Sequence, residues 1–229
     1  MRVLITGSNR GLGLEFVRQY LEEGWRVYAT CRRPAEAEPL RELMGLHNEL
    51  SIHRLDITIP EDIRSISWEL QNVPLDLLIN NAGIYLEKGA PGLGCIHYDD
   101  WLRTLEVNTL GAVRVTEALL DNIGRSEKKM VIVLSSHMGS IADIRDAGSY
   151  CYRSSKAALN AAIQGMAVEL KGRRIGVLIL HPGGVMTRMG PVDGITAQKS
   201  VKGMRHIIDG FILEQSGSFL QYDGKKMPW

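Results

Sequence analysis

Tyr152 and Lys156 stand four positions apart in the stretch YCYRSSK, residues 150–156. In a helix that spacing puts both side chains on one face, a turn apart, and it pairs a phenol with an ammonium. A free phenol ionises near pH ~10, and a neighbouring cation favours the phenolate and draws that value down. Such a pair can hand a proton to an oxygen that is gaining charge, as a carbonyl does when it is reduced. Tyr150 is six positions from Lys156 and misses the shared face. The spacing therefore names Tyr152 as the acid and Lys156 as its electrostatic tuner. Ser135 and Ser136 close the run MVIVLSS just upstream, at a strand end from which side chains can reach a ligand crevice. A tyrosine and a lysine at helical spacing are also a common surface pair, so the segments upstream decide the weight of this one.

The first of those segments is TGSNRGLG, residues 6–13. It follows an apolar run and opens a helical pattern, with Gly7, Gly11 and Gly13 spaced GxxxGxG. A tight turn, close backbone approach and free N–H groups at a helix N-terminus suit a pyrophosphate. A glycine-rich turn with no ligand has the same look. About 20 residues beyond such glycines, an acid on the ribose 2′-hydroxyl marks an NAD site. Here the stretch is ATCRRP, with Cys31 where an acid could stand and then Arg32 and Arg33. Two guanidiniums suit a 2′-phosphate, and Arg10 within the turn could face it too. The expected cofactor is NADP(H) rather than NAD(H), although a solvated surface residue is an equal reading for Arg33.

Elements able to position these groups alternate along the chain. Residues 2–6, 26–30, 50–55, 75–80, 130–135 and 176–181 read as strands, several of them apolar without alternation, as in a parallel sheet buried on both faces. Residues 11–23, 60–71, 99–122 and 150–171 read as amphipathic helices, and 36–45 as a weaker one. Residues 218–222 can add a seventh strand. This pattern predicts a single doubly wound Rossmann-type α/β domain over residues 1–229, with a mostly parallel sheet of about seven strands. Gly/Pro-rich stretches at 88–94 and 182–194 come after strands and are expected as crevice loops.

Composition narrows the setting. The 229 residues carry 27 Lys+Arg against 26 Asp+Glu, a net charge of +1, which gives no reason to expect nucleic acid or an anionic membrane as partner. Three scattered cysteines, Cys31, Cys95 and Cys151, suggest neither a disulfide framework nor a metal site, and the expected compartment is reducing and cytoplasmic. No run approaches the ~18 apolar residues of a spanning helix. Cys151 reads as packing. His137 lacks the acid and nucleophile elbow of a hydrolase, and His97 with Asp99 and Asp100 reads as the cap of a helix.

Taken in order, TGSNRGLG, LDI with Asp56, NNAG (80–83), Asn108 and Tyr152-x-x-x-Lys156 resemble the short-chain dehydrogenase/reductase family over residues 6–187. LSSHMGSIAD, YRSSKAALN, HPGGVMT and the ending SGSFLQYDGKKMPW are similar to its C-factor and Sniffer-like carbonyl reductase branch, which includes NADPH-dependent reductases and a bacterial developmental signal. The resemblance implies reduction of a ketone or aldehyde carbonyl, with Ser136 on the substrate oxygen and Ser135 as the fallback. It implies a water-holding role for Asn108 in a proton relay, and a bond from Lys156 to the nicotinamide ribose. It implies cofactor contacts from the turn residues Gly7, Ser8, Asn9, Arg10, Gly11, Leu12 and Gly13. Asp56 and Ile57 would flank the adenine ring, and Asn80, Ala82 and Gly83 would line the cofactor past the fourth strand. Pro182, Gly183, Val185 and Thr187 would surround the nicotinamide. Gly184 and Arg188 depart from the branch where it carries a bulky residue and an acid. A homodimer or homotetramer through 99–122 and 150–171 is the implied assembly, and a dinucleotide-binding signalling protein with vestigial activity is the alternative function.

Overall fold

The computed structural model describes residues 1–89 and 92–229; Ala90 and Pro91, inside the expected 88–94 loop, lie outside the described residues. Seven strands form one sheet in the order β3-β2-β1-β4-β5-β6-β7, every neighbouring pair parallel. They are β1 (Arg2–Ile5), β2 (Arg26–Cys31), β3 (Leu50–Arg54), β4 (Leu77–Asn80), β5 (Met130–Leu134), β6 (Gly176–His181) and β7 (Phe219–Gln221). The doubly wound parallel sheet predicted from the apolar runs is what forms.

The reason lies in the strands' composition. In β5, Met130, Ile132 and Leu134 pack to one side while Val131 and Val133 pack to the other, so both faces need covering. Helices α1 (Gly11–Glu22), α2 (Glu38–Leu46) and α8 (Ala197–Asp209) cover the first face through Phe16, Val17, Leu40, Val201 and Met204. Helices α3 (Pro60–Glu69), α5 (Ala112–Ala118), α6 (Leu120–Gly124) and α7 (Tyr150–Leu170) cover the second through Ile66, Val115, Ile123, Leu159 and Ile163. The chain winds outward from β1 to β3, then returns to place β4 on β1's other side. Where the winding reverses, the C-terminal ends of β1 and β4 open a crevice.

Two elements differ from expectation. The single helix expected over 99–122 is three, α4 (Tyr98–Leu105), α5 and α6, with a wide π turn at Glu106–Gly111 between the first two. Gly111 packs there against Ile57, so closely that a Cβ would lie 2.6 Å from Ile57 Cδ1. Helix α8 follows the glycine-rich stretch, where the pattern predicts no helix. Its signals are Thr196, whose hydroxyl accepts the Lys199 N–H, and the buried stripe Val201, Met204, Ile208.

Candidate active site

The crevice floor is built from β1 and β4. Thr6 Oγ1 accepts the N–H groups of Asn81 and Ala82, both at 3.0 Å, while Asn81 Nδ2 donates to the carbonyls of Thr6 (2.7 Å) and Gly7 (3.0 Å). This clamp brings the glycine turn against the end of β4, and the glycines make it possible. Gly7 has φ +67°, and a Cβ on it would lie 3.0 Å from Ala82 Cα. A Cβ on Gly13 would lie 2.4 Å from the Gly7 carbonyl.

Helix α1 then starts with Arg10 extended, no side-chain cap and no acid in its first turn. Its leading N–H groups and the positive end of its dipole therefore face the crevice uncompensated, which fits an anionic pyrophosphate. Not every turn residue offers its side chain. Ser8, expected at the cofactor, is fully buried and donates its hydroxyl to Ile5 O at 2.7 Å. Leu12 packs against the core, leaving its backbone at the cradle. Asn9 is half-buried and Arg10 exposed at the rim.

At the end of β2, Cys31 is buried, and Arg32 and Arg33 are exposed beside it. Arg33 is paired with Glu36 at 3.2 Å, whereas Arg32 makes no ion pair among the described residues. Asp56 receives the Thr58 hydroxyl at 2.7 Å and the Thr58 amide at 3.0 Å. Burial opposes its charge, but those bonds, with Arg103 and Arg32, hold its carboxyl below the ordinary value. Ile57 is buried under Gly111.

The NNAG segment corrects one expectation. Asn80, expected along the cofactor, points into the layer of α5, where Nδ2 donates to Thr116 Oγ1 at 2.9 Å. Strand alternation turns it away from the turn and leaves Asn81 to make the clamp. Ala82 and Gly83 come next, at the crevice surface. A Cβ on Gly83 would lie 3.2 Å from Asn108 Oδ1 and 3.8 Å from Lys156 Nζ, so this backbone runs past both.

Ser135 and Ser136 separate cleanly. Ser135 donates to Asn160 Oδ1 at 2.6 Å, inside the packing of α7. Ser136 accepts the Met138 N–H at 3.1 Å, and its hydroxyl is close enough to that of Tyr152 to lower the phenol's pKa. Tyr152 and Lys156 lie a turn apart near the start of α7, with Lys156 Nζ 5.8 Å from the centre of the Tyr152 ring and 2.8 Å from Leu134 O. Asn108, in the π turn, gives Nδ2 to Ile84 O (2.9 Å) and Ser155 Oγ (3.0 Å) and takes the Ile84 N–H on Oδ1 (2.8 Å). Its amide is thus committed to the backbone after NNAG, with one Oδ1 lone pair left for a water.

Electrostatics modify the expectation for the pair. Burial pushes the Tyr152 phenol up to about 12; the nearby Ser136 hydroxyl pulls it back and Tyr85 adds to the rise. Lys156 does not reverse that direction. Its own burial lowers its ammonium to about 8. At neutral pH the chain by itself therefore holds a protonated phenol beside a charged lysine, which is the proton-donating state. Cys151 is inert: burial, then the Glu87 carboxylate, raise its thiol to about 12.

The loop after β6 closes the other wall. Gly183 has φ +82° and packs on the Tyr222 ring, Pro182 O accepts the Ser200 hydroxyl at 2.6 Å, and Val185 is buried and bridges to Ile195. Thr187 comes over Gly11, its Cγ2 3.7 Å from where a Cβ would stand. Gly184 and Arg188 are exposed. Three residues that spacing did not reveal complete the site, all in the segment after NNAG. Tyr85 stacks on Tyr152, Glu87 bonds its backbone, and Lys88 Nζ reaches across to Gly190 O at 2.8 Å. No periodicity marks a loop residue whose partner is 65 positions away.

Comparison with known proteins gives the arrangement its context. The family model described as short chain dehydrogenase matches residues 1–194. The chain is 40% identical to C-signal of Myxococcus xanthus over 172 residues, 73% of this chain and 100% of that protein. The NADPH-bound carbonyl reductase from chicken fatty liver superposes with a TM-score of 0.91 at 31% identity, covering 100% of this chain and 98% of that one. Carbonyl reductase Sniffer of D. melanogaster superposes with a TM-score of 0.93 at 30% identity, covering 100% and 99%.

Proposed function

We propose, for a chain that belongs to the short-chain dehydrogenase family and is an oxidoreductase of its carbonyl reductase-like kind, that it reduces a ketone or aldehyde carbonyl at the expense of NADPH. The observation that carries this reading is Lys156 Nζ under the Tyr152 ring, one helical turn away and against the Gly83 backbone, with the Ser136 hydroxyl close to the phenol. NADPH, when bound, supplies hydride to the carbonyl carbon. Ser136 and Tyr152 present two hydroxyls to the carbonyl oxygen, and Tyr152 delivers its proton as that oxygen becomes an alkoxide. The raised phenol pKa does not impede this, since an alkoxide is a far stronger base than a phenolate. Lys156 keeps positive charge below the phenol and stabilises the phenolate left behind. Asn108 fixes the backbone at Gly83 and Ile84 against which Lys156 lies, and the remaining Oδ1 lone pair serves the relay water.

Preference for NADPH over NADH rests on Cys31 standing where an acid would, and on Arg32, Arg33 and Arg10 exposed around it. The backbone of Gly7–Gly13 takes the pyrophosphate, and Asp56, Ala82, Gly83, Pro182, Gly183, Val185 and Thr187 line the remainder. NADPH oxidation across aldehydes, diketones and quinones, with NADH and Tyr152→Phe in parallel, tests the reading. Turnover undiminished in Tyr152→Phe contradicts it.

The similarity to C-signal motivates a second reading, a dinucleotide-binding signalling protein with vestigial reductase activity. The intact Ser136–Tyr152–Lys156 set argues against lost catalysis, and NADPH binding with no turnover on the whole panel would favour this alternative. A homodimer or homotetramer is the assembly proposed, since Tyr98, Leu102, Leu110 and Val168 on the α4–α5 and α7 faces are exposed apolar side chains; elution as a monomer counts against it. Among the described residues no helix is long and apolar enough to cross a membrane. Three free cysteines suit a cytoplasmic setting.

A further inference from the structure

We propose that Glu87 and Tyr85 are positioning residues for Tyr152, holding the proton donor by its backbone and by its ring; this rests on the reading of Tyr152 as the acid. Helix α7 begins badly by its own means. Its N-cap, Ser149, sits in the left-handed region at φ +55°, gives no side-chain cap, and no acid comes in the first turn. The carboxylate that a helix N-terminus favours comes instead from another element. Glu87 Oε1 accepts the Tyr152 N–H at 2.6 Å, so the borrowed cap lands on the backbone of the residue whose side chain gives the proton.

Two residues earlier, Tyr85 lies against the Tyr152 ring, centroids 4.4 Å and planes 24° apart, with its hydroxyl bonded to Ser149 Oγ. A ring lying flat against another cannot change rotamer without losing that contact. The segment carrying both residues is itself anchored, because Asn108 holds Ile84 through both its N–H and its carbonyl. Asn108, Ile84, Tyr85 and Tyr152 thus form one connected support. Misplacing a proton donor by about 1 Å costs on the order of 100-fold in rate, so the support has a kinetic consequence that a purely structural contact lacks.

The test uses the full chain with NADPH and the carbonyl it turns over fastest. Glu87→Ala and Tyr85→Leu should lower kcat by about 10- to 100-fold, with the Kd for NADPH within about two-fold. Glu87→Gln keeps an acceptor oxygen and Tyr85→Phe keeps the stack, so each should restore most of the rate. Independently of turnover, amide hydrogen exchange at the start of α7 should quicken roughly tenfold in Glu87→Ala and not in Glu87→Gln. Unchanged kcat and exchange in Glu87→Ala, or a glutamine variant as damaged as the alanine one, overturns the proposal. If Glu87→Ala does not fold, the contrast between Tyr85→Leu and Tyr85→Phe decides, and equal rates there overturn it. Tyr152→Phe runs in the same assay. Activity surviving in that variant removes Tyr152 as the acid, while the exchange result still judges the placement.

Discussion

Lys156 Nζ lies 5.8 Å from the centre of the Tyr152 ring and donates to the carbonyl of Leu134 at 2.8 Å. The lysine is therefore fixed beneath the phenol by the end of β5, the same strand end that presents Ser136. Burial raises the phenol to about 12 and lowers the ammonium to about 8. The sign of the pH dependence comes from the lysine, the first of the two to change charge. Below its pKa it is cationic, and the acid is both protonated and supported. Carbonyl reduction should hold through neutral pH and decline as pH rises through about 8. A kcat profile from about pH 6 to 10 checks this, and a rate still rising at the alkaline end would contradict it.

The two serines should behave differently. Ser136→Ala removes a hydroxyl from the reacting oxygen and should cost about 100-fold in kcat. Ser135→Ala leaves Asn160 Oδ1 without its 2.6 Å donor inside the packing of α7. That variant should lose about 1–3 kcal/mol of stability and keep kcat within a few-fold. Denaturant melts and steady-state rates on both variants separate the roles.

Among the described residues, Arg32 is the guanidinium without an ion pair at the end of β2, since Arg33 is engaged by Glu36 at 3.2 Å. A charge-assisted bond to a 2′-phosphate is worth about 1.5–3 kcal/mol. Arg32→Ala should raise the KM for NADPH about 10- to 100-fold and leave that for NADH nearly unmoved. Equal effects on the two cofactors would remove Arg32 from the discrimination.

His181 ends β6 almost fully buried, its ring centre 5.0 Å from that of His137 and its Nδ1 without a partner among the described residues. Burial first, then His137, lower its pKa to about 3, against an ordinary 6.5. The unfolded chain takes up the proton first as pH falls, so stability should drop between about 6.5 and 3, by up to about 1.4 kcal/mol per pH unit. His181→Phe should flatten the melting temperature over that window, and a slope identical to that of the unmodified chain would contradict the assignment.

The features legible in the sequence are those set by local rules. Apolar runs in β4, β5 and β6 announce strands buried on both faces, glycines announce the turn, and the four-residue interval selects Tyr152 over Tyr150. Register-dependent features were not legible. Nothing local says that Asn80 faces α5 while Asn81 clamps the turn, because that depends on where β4 pairs with β1. Ser135 and Ser136 divide for the same reason. Gly111, in the π turn that carries Asn108, packs closely on Ile57, a contact between residues far apart in the chain. Tyr85 and Glu87 are loop residues whose roles exist only once α7 is packed beside them. Helix α8 could have been read from Thr196 and its apolar stripe.

The central claim, that Tyr152 is the proton donor of an NADPH-dependent carbonyl reductase, is tested most directly by measuring NADPH oxidation in the unmodified chain and in Tyr152→Phe. Turnover that requires NADPH and falls by about 100-fold or more in the variant, with NADPH binding retained, is the predicted result. Equal turnover in the two proteins would contradict it.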